Sequence, residues 1–486
     1  PTATLTGAEE LVGQVNIIVN VSDGTASSST VWTAEINHFP MACNTLTQGQ
    51  ICTVGGSPSV GDDTNPLDSD FPLKIRPMDM TQDALGNLFI ADYENHLIWY
   101  WNATGAPVSR LGQTIPANTI KVVAGTGEGE SGGDGPALSS GLYNPRSVWF
   151  NDATGVLYVS EWSGSKVKFI DSNGFTFTGM GAGSSQADGD TAYNHDCDNP
   201  GTLRYYNGSL YVACWSEHRV KRWDLATDLA YVVYGDGGGN IDGNGGAPTA
   251  AGARNPYGLH VDATGIYVTH MNNHVIRYIN TTGSNRTFWG SVTVNAGTVR
   301  TIIGTGASNW DTNMIPTSLR IGNPTGVYHV NNRIYFTMRN RDKFYLANNT
   351  GSPVTIGNVT IATNQGGYIN APGTSAGYNG SNTDLDIAQL NEPYNLVADI
   401  SDPNVFYVAD YNNYRVREVN LNTAKMNDVL GSGTGRYGFY GDVTKPTAEH
   451  LFQHVGGLSY ESSSRTLFFT DKNNYRIRQL DAYGRV

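Results

Sequence analysis

One pattern of fifteen residues occurs seven times in this chain, and no copy contains a gap. In each copy a run of aromatic and branched residues is joined by a short polar stretch to an alternating run, as in "FYVADYNNYRVREVN" at 406–420. The other copies begin at residues 88, 157, 210, 266, 334 and 467. Two β-type runs joined by a short polar loop predict a hairpin, whose strands we name b and c. A repeat this regular predicts that the fold is built from stacked copies of one unit.

Each hairpin is flanked by two further predicted strands. Strand a precedes b and begins at a proline in six units, as in "NPYGLHV" at 255–261. Proline suits the first residue of a strand because no ladder hydrogen bond is lost there. Strand d follows c and ends in a Gly-rich turn, as in "VRTIIGTG" at 299–306. Units one, four and five carry extra residues between c and d, which predict an additional hairpin in each.

The seventh unit ends without a strand d, whereas a d-like segment stands ahead of the first unit. Ile51–Val54 is followed by a Gly-rich turn and precedes the first strand a. We therefore expect this segment to pair with the strand at Arg476–Asp481 and to complete the last unit. The predicted fold is an all-β, seven-bladed β-propeller spanning residues 46–486, with four-stranded antiparallel blades and a ring closed by the N-terminal strand.

Residues 1–45 lie outside the repeat and form a separate N-terminal region. Their segment "QVNIIVNVSDGTASS" is typical of the last strands of an Ig-like module, and a stalk or linker is the alternative. Because the chain begins at Pro1 without a Met or a signal peptide, we expect it to be part of a longer surface protein. The net charge of −13 disfavours nucleic-acid binding, and no apolar run is long enough to span a membrane.

The repeat resembles the NHL-repeat family over residues ~50–486. Unit one contains "ENHLIW", in which Asn95, His96 and Leu97 spell the motif, and the proline-led strand a and "GTGEGESGGDGPA" are also similar to bacterial NHL repeats. The resemblance implies a propeller. It also implies a structural role for His96, His218 and His274, which occupy the same position in the repeat. It does not select a function, because the family includes both binding modules and a few enzymes.

The four cysteines form two local pairs, Cys43 with Cys52 and Cys197 with Cys214. An even number in local pairs favours disulfides and an oxidising, extracellular compartment, with four free thiols as the alternative. Cys197 precedes strand a of unit three and Cys214 ends its strand b, so antiparallel pairing brings the two together. The chain also has eight N-x-S/T sequons, which indicate glycosylation only in a source that glycosylates.

The b–c turns supply the candidate ligand site. Their first position is often acidic, which we interpret as turn capping through backbone N–H groups. Their second position holds the aromatic residues Tyr93, Trp162, Trp215 and Tyr411. Arg146, Tyr257 and Tyr394 follow the strand-a prolines on the same side. Together these residues predict a ligand-binding face for a glycan or a protein, unless each ring merely packs on the adjoining blade.

The metal and catalytic patterns are weaker. Asp188, Asp190, Asp196 and Asp198 crowd one loop and are candidate calcium ligands, although turn chemistry also explains such residues. The histidines of the aligned units mostly fall at different repeat positions, and no nucleophile has a base beside it, so we predict no catalytic residue and no obligatory cofactor.

The predicted function is therefore a non-enzymatic, extracellular or cell-surface binding or adhesion propeller. The alternative is a metal-dependent lyase or lactonase-type propeller with a site in the central channel. Stoichiometric zinc or calcium, tightly bound in the central channel, would favour that alternative.

Overall fold

The computed structural model describes most of the repeat region and two strands ahead of it. The described residues are 13–22, 27–36, 51–55, 77–93, 95–102, 104–117, 119–309, 311–372, 376–399, 402–413, 415–430, 455–461, 466–471 and 476–480. Within them almost all regular structure is β-strand, and helix is limited to single 3-10 turns. None of the helices in this part of the chain has the length and apolar character needed to cross a membrane.

Seven antiparallel sheets of four or five strands occupy the described part of the repeat region, one for each repeat unit. The a strands are Pro77–Gln82, Pro145–Asn151, Pro200–Tyr206, Pro256–Asp262, Pro324–Val330, Pro393–Asp399 and Val455–Glu461. The b strands are Leu88–Asp92, Val156–Glu161, Ser209–Cys214, Gly265–His270, Arg333–Met338, Asp402–Asp410 and Thr466–Asp471. The c strands are Leu97–Asn102, Lys166–Ile170, Arg219–Asp224, Val275–Ile279, Lys343–Asn348, Arg415–Asn420 and Arg476–Leu480. The d strands of units one to six are Thr119–Ala124, Phe175–Met180, Leu229–Tyr234, Val299–Ile303, Gly366–Tyr368 and Lys425–Leu430.

The fourth strand of the seventh sheet comes from the N-terminal side of the repeat. Ile51–Gly55 pairs antiparallel with Arg476–Leu480, with Ile51 opposite Leu480 and Thr53 opposite Arg478. The predicted pairing is therefore present. The a strands of successive units contact one another in chain order, and the a strand of unit seven contacts that of unit one.

Burial follows the position of a strand within its sheet. Every residue of the b strand Gly265–His270 is buried, because it lies in the middle of the sheet between two neighbouring sheets. In the outer strand Leu229–Tyr234, buried and half-buried residues alternate with a period of two, as strand geometry requires. The aromatic and branched residues of the repeat thus fill the spaces between sheets and hold the bases of the turns in place.

The three predicted extra hairpins are present in units one, four and five. Their strands are Val108–Arg110 with Gln113–Ile115, Arg286–Phe288 with Val292–Val294, and Val354–Ile356 with Val359–Ile361. A buried asparagine at the end of each c strand or directly after it, in an N-x-T-G sequence, organises the hairpin. The Asn102 side-chain oxygen accepts the N–H and hydroxyl of Thr104, and its amide donates to the carbonyls of Ala106 and Ile115. Asn280 and Asn348 repeat this arrangement, so three of the sequons have a structural use.

The connections between units add elements that the repeat pattern did not predict. Short strands at Gly135–Pro136, Asp190–Thr191 and Thr383–Asp384 each pair with the d strand of the following unit, which extends three sheets to five strands. The 3-10 turns in the described residues are Ala192–Asn194, Pro248–Ala250, Met271–Asn273, Pro316–Ser318, Arg339–Arg341, Leu385–Ile387 and Tyr411–Asn413. Ahead of the repeat, Gly13–Ser22 and Ser27–Ile36 form a two-stranded antiparallel sheet.

One of the two predicted disulfides is present in unit three. Cys197 and Cys214 are bonded, with their Cα atoms 5.1 Å apart. The antiparallel pairing of Pro200 with Cys214 brings the start of strand a beside the end of strand b, which was the basis of the prediction. The pairing of Cys43 with Cys52 lies outside the described residues, since Cys43 is not among them and only the backbone of Cys52 is.

Candidate functional site

The start of strand a and the b–c turn lie together at one end of each sheet. In unit two Pro145 is opposite Glu161, and the same pairing recurs in the other units. Neighbouring units are also joined there, because the side-chain amide of Asn144 donates to the Tyr93 carbonyl of the preceding unit at 2.8 Å. We call this end of the sheets the bc face, and it carries the predicted ligand residues.

The residues at the first position of the b–c turn are buried, and together we call them the buried layer. Its described members are Asp92, Glu161, Cys214, His270, Met338 and Asp410. Glu161 accepts the Tyr143 N–H at 2.9 Å, and Asp410 accepts the Asn391 N–H at 2.7 Å. Both partners stand two residues ahead of a strand-a proline. The acids therefore bond backbone N–H groups as predicted, but these belong to the start of strand a rather than to the turn.

Two acids of the buried layer also face a cation seven residues further along the chain. Glu161 lies 3.5 Å from the Lys168 amine, and Asp410 lies 3.5 Å from the Arg417 guanidinium. Burial raises the pKa of Glu161 and lowers the pKa of Lys168, while their mutual attraction opposes both shifts. Lys168 also donates to two backbone carbonyls at 2.8 Å each. These groups hold the turn in place and are closed to ligands.

The histidine at the fifth position of the b–c turn joins one unit to the next. Nδ1 of His96 accepts the Asn144 N–H, and Nδ1 of His218 accepts the Asn255 N–H, both at 3.1 Å. Both histidines have a φ of 60°, in the left-handed region that tight turns use. Since these Nδ1 atoms are acceptors within the fold, the two side chains have the structural role that the resemblance implied.

Four of the predicted ligand residues meet on the bc face. The guanidinium carbon of Arg146 lies 3.9 Å from the Trp162 ring centroid and 5.5 Å from that of Tyr257. The Trp162 and Trp215 rings are 5.5 Å apart and tilted by 47°. All four side chains are half-buried, and they come from units two, three and four. We call this set the aromatic–arginine cluster.

The backbone around the cluster is held from the neighbouring units. The Asn199 amide donates to the Trp162 carbonyl at 2.8 Å, and the Asn255 amide donates to the Trp215 carbonyl at 3.0 Å. The asparagine ahead of the next strand a therefore fixes the backbone from which each of the two rings projects. An arrangement of this kind lowers the entropy that is lost when a ligand is bound.

Arg146 is the polar group of the cluster. Its guanidinium contacts the two rings, and within the described residues no carboxylate pairs with it. A guanidinium has five N–H donors, so Arg146 offers hydrogen bonds to a ligand that stacks on the rings. Aromatic faces beside an arginine can bind a sugar ring or an amphipathic protein side chain.

The remaining predicted ligand residues are only partly described. Tyr93 occupies the same turn position in unit one as Trp162 does in unit two, and it is half-buried. Tyr394 lies in the a strand Pro393–Asp399 and Tyr411 in the 3-10 turn Tyr411–Asn413, but their side chains are outside the described part. Their contribution to the ligand site stays a prediction.

The aspartates predicted to bind calcium have partners within the fold. Asp188 accepts the Val232 N–H at 2.7 Å, and Asp190 accepts the Ser185 hydroxyl at 2.6 Å. The backbone carbonyl of Asp196 accepts the Lys221 amine, and that of Asp198 accepts the Ser216 N–H. In the described residues, the groups of three potential ligand side chains that converge do not include these aspartates. A calcium site in this loop stays a prediction.

A histidine–aspartate group that sequence reasoning missed lies toward the opposite end of the sheets. His260 and Asp262 are two residues apart on one a strand and so share a face, and His329 lies on the next a strand. Burial acts to raise the pKa of Asp262, but hydrogen bonds from His260, His329 and Thr264 outweigh it and hold that pKa far below its usual range. The H-x-D spacing of His260 and Asp262 is visible in the sequence. His329 does not occupy the same repeat position as His260, so aligning the units does not indicate that the two histidines meet.

No family model matches this chain, and no curated protein does. Among solved structures, a streptogramin B lyase is 9% identical with a TM-score of 0.49, over 88% of this chain and 97% of the other. A virginiamycin B lyase from Staphylococcus aureus is 10% identical with a TM-score of 0.46, over 84% of this chain and 94% of the other. An auxiliary nutrient binding protein from Bacteroides ovatus is 14% identical with a TM-score of 0.42, over 71% of each chain. Such distant similarities carry no argument about activity, and the NHL resemblance rests on the repeat itself.

Proposed function

We propose that this protein is a non-enzymatic binding propeller that recognises a glycan or a protein through its bc face. In this proposal the seven sheets are the blades of a closed ring formed by residues 46–486, and residues 1–45 are a separate N-terminal module. The contacts between successive a strands, including that of unit seven with unit one, support a ring. The pairing of Ile51–Gly55 with Arg476–Leu480 supports its closure by the N-terminal strand.

The aromatic–arginine cluster is the observation that carries the proposal. The repeat predicts its four members as ligand residues, and they come together from three units. The rings are half-buried rather than sealed in a core, and among the described residues no carboxylate pairs with the Arg146 guanidinium. Stacking of one sugar on one ring is weak, so useful affinity needs several contacts or display of many copies.

The compartment is proposed to be extracellular or the cell surface. The Cys197–Cys214 disulfide supports this, because structural disulfides form and persist in oxidising compartments. The net charge of −13 argues against a nucleic-acid partner. Residues 1–45 would join the propeller to the rest of a longer surface protein, which would present the bc face to ligands.

The test is a glycan array and a panel of cell surfaces probed with wild type, Trp162→Ala, Trp215→Ala and Arg146→Ala. Tyr205→Ala is the matched control, since Tyr205 is an exposed aromatic residue, 42% accessible, near the opposite end of strand a in unit three. We expect each cluster variant to lose about tenfold or more in affinity, the share of a single binding hot spot.

The control should bind like wild type. The proposal is contradicted if folded Trp162→Ala and Trp215→Ala variants both bind like wild type. It is also contradicted if binding is lost in Tyr205→Ala alone, because the ligand would then lie at the other end of the sheets.

A further inference from the structure

We propose that His260, Asp262 and His329 form a binding site for a divalent transition-metal ion between units four and five. The site lies toward the end of the sheets opposite the bc face and is independent of the proposed ligand site. The three potential ligand atoms, one from each side chain, all lie within 4.8 Å of one another. Such a set needs only a small adjustment to reach the ~2.0–2.2 Å bonds that zinc makes to imidazole and carboxylate.

The three side chains are held in position before any ion arrives. Asp262 Oδ1 accepts the N–H and the hydroxyl of Thr264, at 2.7 and 2.5 Å, which leaves Oδ2 directed at the two imidazoles. Oδ2 lies 2.6 Å from His329 Nδ1 and 3.4 Å from His260 Nε2. The His329 ring is stacked on Tyr267 with 4.8 Å between ring centroids. A carboxylate oriented in this way is typical of metal ligands, whose outer partners fix their direction.

The donor set selects the class of ion. Two imidazole nitrogens and one carboxylate oxygen suit zinc, cobalt or nickel, whereas calcium and magnesium prefer sites made of oxygen atoms. Three protein ligands also leave a coordination position for water or a ligand. That position would be open to solvent, since the His260 and Asp262 side chains are 16% and 26% accessible.

The Arg286 side chain opposes metal binding at this site. Its guanidinium donates to His329 Nε2 at 2.9 Å, which requires His329 to carry its proton on Nδ1, the atom that a metal would use. Metal binding must therefore move the proton to Nε2 and displace Arg286. The guanidinium has room to turn away, because Arg286 also lines a pocket of about 340 Å³ with Asn332 and Asn349. The arginine should weaken metal binding without preventing it.

The experiment is a titration of the full chain, stripped with a chelator, with Co²⁺ followed by its visible absorption and with Zn²⁺ in competition with a chromophoric chelator. We expect one ion per chain at this site, with Ca²⁺ and Mg²⁺ in excess failing to displace it. Asp262→Asn should weaken the affinity by at least about tenfold, since loss of an outer partner alone costs that much. Arg286→Gln should tighten it, because it removes a positive charge and supplies an acceptor for the Nε2 proton.

The control is Asp188→Asn, which removes a carboxylate from the loop predicted to bind calcium and should leave the Co²⁺ spectrum unchanged. Circular dichroism of each variant establishes that it is folded. Failure of wild type to bind one equivalent of Co²⁺ or Zn²⁺ would overturn the proposal, as would unchanged binding by folded Asp262→Asn. Weaker binding by Arg286→Gln would overturn the antagonism. None of these three results would bear on the aromatic–arginine cluster, which is tested separately by ligand binding.

Discussion

Glu161 and Trp162 are consecutive residues in one turn, yet they belong to two regions with different constraints. Glu161 is fully buried and bonded to the start of strand a, whereas Trp162 is half-buried and faces Arg146 and Trp215. The buried layer uses a carboxylate in units two and six, a disulfide in unit three and an imidazole in unit four. All these groups fasten the b–c turn to the start of strand a. The different residues of the buried layer therefore serve one structural task, whereas the residues of the cluster are the ones that we propose for ligand binding.

The largest expected effect on stability comes from a substitution in the buried layer of unit two. Lys168→Met leaves Glu161 buried without its cation, and removal of one partner from a buried ion pair costs about 3–5 kcal/mol. Denaturant unfolding at pH 7 should show a fall of that size in the free energy of unfolding. The double variant Glu161→Gln with Lys168→Met should recover part of it. A cost below about 1 kcal/mol for Lys168→Met would show that the pair does not hold the turn.

The disulfide of unit three should give the next largest effect. Cys197 and Cys214 are separated by 17 residues, and closing a loop of that length is worth about 3 kcal/mol. We expect the variant with both cysteines changed to alanine to lose about that much stability. Intact mass of the non-reduced protein gives the number of free thiols. A double variant as stable as wild type would show that the disulfide does not stabilise the b–c turn of unit three.

The imidazole of unit four should make stability depend on pH. Burial lowers the pKa of His270 from 6.5 to about 3. Between these values the unfolded chain takes up a proton that the folded chain refuses, so stability is lost as the pH falls below 6.5. The loss should reach about 2 kcal/mol at pH 5.

His270→Gln keeps a donor for the Arg254 carbonyl and an acceptor for the Tyr234 hydroxyl, but it does not titrate. Wild type should therefore lose about 2 kcal/mol more unfolding free energy than this variant between about pH 8 and pH 5. A constant difference across that range would mean that His270 takes up its proton in the folded protein.

The smallest expected effect on stability is in the aromatic–arginine cluster. Arg146→Ala removes a guanidinium that has no carboxylate partner in the described residues, so the free energy of unfolding should change by no more than about 0.5 kcal/mol. The same denaturant titration as for Lys168→Met measures it. A loss above about 2 kcal/mol would show that Arg146 has a structural role, like the residues of the buried layer.

Much of the fold was readable because the repeat is regular. The order of strands a to d, the three extra hairpins and the pairing of Ile51–Gly55 with Arg476–Leu480 follow from aligning seven copies and identifying the unit that lacks a strand. The Cys197–Cys214 bond followed from the antiparallel pairing of strands a and b. The short strands such as Gly135–Pro136 were not readable, because they depend on where a connection crosses the edge of the next sheet.

The candidate sites show the same division. The chain by itself determined which side of each unit Trp162, Trp215, Arg146 and Tyr257 occupy, because a strand's direction and its turn assign every residue to one end of a sheet. Only the tertiary structure decided that these four meet, since no spacing within one unit states how far a side chain reaches across to the next. The convergence of His260 and Asp262 with His329 was decided in the same way. The repeat is a local property of the chain, whereas contact between units depends on how the sheets pack against one another.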